Sequence, residues 1–289
     1  MILPNSSAAK AGASAVSAIA SSTTAFRQFM CYMAITLSQA ISGTTGVIKN
    51  GIGGLTFDGA CNYTGPTQIN GGQIAIRGTV ASTLNGAISG TGYLTKTGTG
   101  TLTLGGNNTY SGGTVFFPSL ATATITFTSG NAFGTGLFTA QGPCQIVTSN
   151  NVTLPNNFQI NTGTTLQYRT QGANTITVTG NIAGSGGINK TGNGTLNLTA
   201  STLTYTGSTT RTAGFIVASK TTGASTATAT FSATLSVSFN VSPPSGTTTF
   251  RFFPGATTNS YASVTLVGVP VGTTATYTSA TSTLTVIVP

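Results

Sequence analysis

The side chains best suited to chemistry in this 289-residue chain recur in one phrase. Lys49, Lys96 and Lys190 each head the pattern Lys, polar residue, Gly, any residue, Gly, and Tyr63, Tyr110 and Tyr205 follow 14, 14 and 15 residues later. A row of ammonium groups suits an anionic ligand, and exposed tyrosines suit stacking on a sugar ring. The plainer expectation is lysines kept apart on a solvated turn rim, and tyrosines packed on the next repeat with their hydroxyls at its edge. Acid–base chemistry is poorly supplied: Asp58 is the sole Asp or Glu, ten Lys and Arg oppose it, and there is no His. Glycoside hydrolysis ordinarily needs two carboxyl groups, and an activated Ser or Cys needs a neighbouring base. Asp58, in LTFDGA, reads as a turn acid. Cys31, Cys61 and Cys144 are odd in number and lack CxxC spacing, which supports neither a zinc site nor a disulfide framework and predicts buried free thiols. The GxG strings lie in turn-like text, not between a strand and a helix, and carry no nucleotide signal. The expectation is therefore a non-enzymatic protein with no catalytic, cofactor or metal site.

The formal charge is +9, yet the basic residues are spread from Lys10 to Arg251 with no basic run, so nucleic acid is not an expected partner. Only 4% of residues are charged, and Gly, Thr, Ser and Asn supply the polarity, which suits short strands and tight turns. No 18-residue apolar run predicts a membrane-spanning helix. The nearest stretch, FMCYMAITLSQAI at 29 to 41, reads either as a retained segment or as an export signal cut near Ala40.

The elements that must position the phrase are set by its recurrence. Lys49 and Lys96 are 47 residues apart and Lys190 follows after 94, the mark of a stacked architecture in which one unit buries its apolar face against the next. Alternating runs such as TLTL at 101 to 104 and TLNL at 195 to 198 place leucines on one side and threonines on the other. The fold class expected is mainly β: a stacked β-helix or solenoid over residues 44–220, at roughly 25 residues per coil and about seven coils. Residues 1–43 carry apolar side chains at alternating steps of three and four, among them Val16, Ile19, Phe26, Met30, Met33 and Leu37. That spacing predicts an N-terminal α-helix with a docking or self-association seam, a homotrimer being favoured. From 221 to 289 a small β-sandwich-like domain is expected, with TGASTATAT at 222 to 230 as linker, one long strand at 231 to 241, and strands at 247–253, 262–267, 273–278 and 283–288.

The phrases LTKTGTGTLTLGGNNTYSGGT and GSGGINKTGNGTLNLT resemble the autotransporter-associated β-strand repeat family over roughly residues 46 to 217. The resemblance implies the right-handed β-helix of bacterial autotransporter passengers and of similar repeats in large surface and phage proteins. It implies no catalytic residues, because the family's motif is structural.

Two functional expectations follow. One is a virion surface protein, a phage capsid decoration or fibre, docked to other virion proteins through the N-terminal helix and meeting host glycan. The other is a secreted bacterial adhesin or cell-surface filament subunit of the passenger type, with 29 to 41 as its export signal.

Overall fold

A computed structural model of the chain describes residues 27–117, 123–199, 202–222, 224–231, 235–253 and 264–289. These residues are mainly β and form a solenoid of right-handed type with about nine turns. The chain divides into two compact units, residues 1–147 with 155–159, and residues 148–154 with 160–289.

In the first unit each coil contributes one short strand to each of three faces. One face carries Arg27–Met30, Val47–Asn50, Thr67–Ile69 and Ile88–Ser89 in parallel register. The second carries Ile35–Leu37, Gly54–Phe57, Gln73–Ile76, Tyr93–Lys96, Thr114–Phe116 and Phe138–Ala140. The third begins with Ile41–Gly43 paired to Cys61–Tyr63, and includes Ser82–Leu84, Leu102–Leu104 and Ala123–Phe127. Arg27 pairs with Val47 and Val47 with Thr67, so a coil here takes 20 residues, shorter than the expected 25. A 47-residue motif period therefore spans two coils and about one further face. Lys49 accordingly sits on the first face and Lys96 on the second.

The N-terminal helix is not borne out where the structure can be read. Residues 27–43 form three strands, each paired in parallel to the next coil, and no α-helix occurs among the described residues. The spacing that mimics a helix arises because strands of three or four residues, joined by corners, send few side chains inward each. Leu37 points inward and is buried, whereas Met30 and Met33 are exposed, so the supposed seam is split between two sides. Val16, Ile19 and Phe26 lie outside the described residues.

Alternation sets the interior as expected. Leu55, Phe57, Leu102, Leu104, Ile125 and Phe127 are fully or almost fully buried, while Thr56, Thr103 and Thr126 between them face outward. Phe138 lies at the centre of an aromatic column, its ring 4.8 Å from Phe133, 5.1 Å from Phe158 and 6.4 Å from Phe116.

The second unit holds the parallel runs Thr165–Thr170, Gly187–Thr191 and Thr209–Arg211, and Val152–Leu154, Thr175–Val178, Thr195–Leu198 and Phe215–Thr222. At Phe215–Thr222 the pairing changes sense. Ser225–Phe231 folds back antiparallel on it and Leu235–Phe239 follows antiparallel in turn, so the expected linker at 222–230 is a strand. Phe231 ends one strand and pairs with Leu235 at the start of the next, which replaces the single long strand expected at 231–241. Val264–Val267 then adds in parallel. Gly246–Arg251, Thr283–Val288 and Thr274–Thr278 make a separate antiparallel sheet, close to the strands expected there. The ring of Phe231 lies 5.0 Å from Phe253 and 5.6 Å from Tyr277, and Phe239 lies 5.5 Å from Phe250, so aromatic side chains join the two sheets.

Phe138→Ala is expected to cost about 3–5 kcal/mol through the lost contacts and the cavity left in the column. Denaturant unfolding of the full chain checks this, and a loss under about 1 kcal/mol would show that the column relaxes to fill the gap.

Candidate functional site

The three motif lysines are interior groups. Lys49, Lys96 and Lys190 have no exposed surface, which overturns the solvated rim. Each lies on the inward side of a strand that runs straight into a glycine corner, so its four-carbon stem fills the coil while its ammonium reaches the carbonyls of the turn. Lys49 Nζ donates to the carbonyls of Asn50 at 3.1 Å, Gly51 at 2.7 Å and, one coil on, Gly71 at 2.8 Å. Lys190 Nζ donates to Thr191 O at 2.6 Å, Gly192 O at 2.7 Å and the Thr170 hydroxyl at 3.0 Å. Lys96 Nζ donates to Gly98 O. The phrase thus encodes a corner whose carbonyls turn inward and are satisfied by the cation two residues upstream. Its glycine is required at Gly51 and Gly192, where φ is +78° and +75° and a Cβ would collide with the backbone of the preceding coil.

None of these ammonium groups has a carboxylate beside it, and burial lowers their affinity for a proton. Lys96 and Lys190 are pushed down to about 8, for Lys190 with help from the nearby Arg211 charge, and Lys49 is also lowered by burial. Arg211 heads a related phrase, RTAG, and donates from Nη1 to Gly214 O at 3.3 Å.

The tyrosines form the second half of the motif. Tyr63, Tyr110 and Tyr205 are buried, so none offers a ring for sugar stacking. Their hydroxyls bond the hydroxyls of Thr67 at 2.8 Å, Thr114 at 2.6 Å and Thr209 at 2.6 Å. Each threonine is itself buried and opens the next strand, so every pair ties the two ends of a tight turn inside the coil. Burial raises all three phenol pKa values. These threonines were not singled out in the sequence, although the spacing Tyr-x-Gly-x-Thr in YTGPT, YSGGT and YTGST displays them.

The remaining reactive groups do not converge. Asp58 is held by Arg77 one coil on, through Nε to Oδ1 at 2.6 Å and Nη2 to Oδ2 at 2.7 Å, and the guanidinium keeps its carboxyl below the usual range. Cys31, Cys61 and Cys144 are free and buried, and burial pushes Cys61 and Cys144 up to about 12. No cluster of three His, Cys, Asp or Glu able to hold a metal occurs among the described residues. No helix among them is long and apolar enough to cross a membrane. What the solenoid offers outward is a wall of Thr, Asn, Ser and Gln, with exposed apolar side chains at Tyr32, Met33 and Ile52 in the first unit and at Val267, Val271 and Ile287 in the second.

Three segments, residues 47–76, 94–116 and 188–217, match a family model described as passenger-associated-transport-repeat. Each match opens on the strand that carries Lys49, Lys96 or Lys190 and runs past the corresponding Tyr–Thr pair. The matched text is thus the corner and latch just described, and the match agrees with the autotransporter-associated repeat that these phrases resemble. No curated protein and no solved structure matches the chain.

Removing a corner cation takes the charged donor from turn carbonyls that face the interior. Lys190→Met is expected to cost about 2–3 kcal/mol and Lys96→Met about 1 kcal/mol, because the first strips three acceptors and the second one. Equal losses in chemical denaturation would count against this account. Tyr110→Phe is expected to cost about 1 kcal/mol, and a double-mutant cycle with Thr114→Val should show coupling between the two hydroxyls.

The pH profile follows from the same groups. Lysines whose folded pKa lies near 8 bind fewer protons than the unfolded chain up to about pH 10.4, so their contribution to stability rises with pH across that window. Thiols raised to about 12 act oppositely from about pH 8.5, and the tyrosines do so from about pH 10. Denaturation midpoints should therefore rise towards about pH 8.5, level off, and fall above about pH 10. Lys96→Met combined with Lys190→Met should reduce the rise to the part left by Lys49.

Proposed function

We propose that this chain is a non-enzymatic surface protein of the autotransporter-passenger type, a secreted adhesin or cell-surface filament subunit displayed outside the cell. The observation that carries the reading is the coincidence of the three matched repeat segments with the three corner-and-latch units. What the chain shares with the passenger-associated repeat is the matched text itself, which here forms an interior framework. Engagement of Asp58 by Arg77, together with the lack of any other Asp or Glu and of His, supports a binding or scaffolding role over hydrolysis. The polar outer wall suits contact with a host glycan or a neighbouring surface protein through many weak hydrogen bonds. The matched repeats lend no support to the virion decoration or fibre.

The test is surface display in the native cell. Proteinase added to intact cells should remove the protein, and deletion of its gene should lower adhesion or remove a surface filament. Protection from proteinase until lysis, or recovery of the chain only with phage particles, would sink the reading.

A further inference from the structure

Seven strands of the second unit, Val152–Leu154, Thr175–Val178, Thr195–Leu198, Phe215–Thr222, Ser225–Phe231, Leu235–Phe239 and Val264–Val267, form one sheet with two unlike sides. Inward side chains such as Ile176, Leu196, Ile216, Ala229 and Val237 are buried. Outward, one line of residues in register crosses all seven strands: Thr153, Thr177, Asn197, Val217, Thr230, Ser236 and Thr265. On one side of it run Ser219, Thr228 and Ser238, and on the other Thr175, Thr195 and Phe215. Six strand spacings make the line roughly 29 Å long. The only charged residue in these strands, Lys220, has the parity of the buried Ile216 and Ala218 and belongs to the other side.

Threonine is the ordinary choice for the solvated side of a strand, but two features of this side are not ordinary. The family match ends at residue 217, yet hydroxyl-bearing residues continue through Thr230, Ser236 and Thr265, across the change from parallel to antiparallel pairing. The side's character therefore does not come from the repeat alone. Phe215, in turn, stands where Thr175 and Thr195 stand in the strands before it, and it leaves 43% of its surface exposed two residues from the outward Val217.

We infer that this face binds an uncharged polysaccharide, with one sugar ring lying on Phe215 and Val217; the inference rests on the surface-protein reading and names its partner. A sugar ring has an apolar C–H side and a rim of hydroxyls, which matches an exposed phenyl ring set in a field that includes Thr195, Asn197 and Thr230. Thr199 Oγ1 donates to Val178 O at 3.2 Å, which leaves the oxygen to accept from a ligand hydroxyl. Other occupants fit worse. A charged polymer would give up water against a face with no counter-charge, and a lipid surface would strip the hydroxyls of theirs. A second copy would bring another formal charge of +9 to the first. A neutral polyol meets the hydroxyls with hydroxyls and pays neither cost.

The chain has no Trp, so Phe215→Trp places a single reporter ring on the face and keeps an aromatic surface there. Its emission is followed in the full-length protein against a soluble glucan, a mannan and a galactan, with an anionic glycosaminoglycan as counter-probe. The expected result is a saturable shift to shorter wavelength with at least one neutral polymer and none with the anionic one. By calorimetry, Phe215→Ala should weaken binding of that polymer about tenfold, and Tyr93→Ala, which removes an exposed ring from the first unit, should leave it unchanged. Binding of a neutral polymer by the unaltered protein is required whether or not a variant folds. No shift with any neutral polymer, a shift with the anionic one alone, or equal binding by Phe215→Ala would overturn the proposal. So would a shift on concentrating the protein without polymer, which would give the face to a second copy. Proteinase removal from intact cells does not depend on Phe215, so loss of this site would leave the surface reading standing.

Discussion

The solenoid depends on how a sharp corner disposes of its own carbonyl groups. A coil of about 20 residues must turn three times, and each turn removes backbone oxygens from the parallel ladders that satisfy the strands. At three corners the oxygens turn inward and a lysine ammonium meets them. The same job is done in smaller ways elsewhere. Asn108 accepts from Ile88 N–H at its side-chain oxygen and donates from its side-chain nitrogen to Ala132 O, and Asn156 Nδ2 donates to both Gly134 O and Gly136 O. Part of the charge in this protein is therefore internal wiring: three of its ten Lys and Arg are buried, and Arg27 and Arg211 also donate to turn carbonyls, while Arg77, Arg169, Lys220 and Arg251 are exposed.

Why a cation was used, and not another asparagine, follows from reach and capacity. An ammonium carries three donors on a flexible stem and can serve two coils at once, as Lys49 does for Gly51 and Gly71. Charge-assisted bonds to carbonyls offset part of the desolvation, and burial still lowers the proton affinity of Lys96 and Lys190, for Lys190 with the Arg211 charge adding to it. The tyrosine latch complements this arrangement. It closes the turn further along the same phrase with a neutral pair, so only one end of each motif carries the strain of a buried charge.

Much of this was legible in the sequence. The strict alternation of TLTL and TLNL fixed which side chains enter the core, and the strands at 246–251, 274–278 and 283–288 lie close to where turn residues bracketed them. Three features were not legible, each for a physical reason. Lysine is almost never fully buried, so the expectation of a rim was the ordinary one, and only the carbonyl-lined corner reverses it. Residues 27–43 show helical spacing because very short strands sample too few residues to reveal alternation, and the pairing that decides between the two is non-local. The stretch 222–230 reads as a linker because Ala, Ser and Thr carry little hydrophobic signal, yet small side chains suit a strand, Ser225–Phe231, pressed between two neighbours.

In the first unit the motif and the coil are out of step, because 47 residues overshoot two coils by about one side. Identical clamps therefore do not line up along one edge, and no side becomes a track of repeated lysines. Gene duplication or loss of a single motif length would keep every corner chemically whole while turning all later outward residues to a new side. Such a chain can vary its length and reshuffle its outer surface in the same event, with its interior rules untouched.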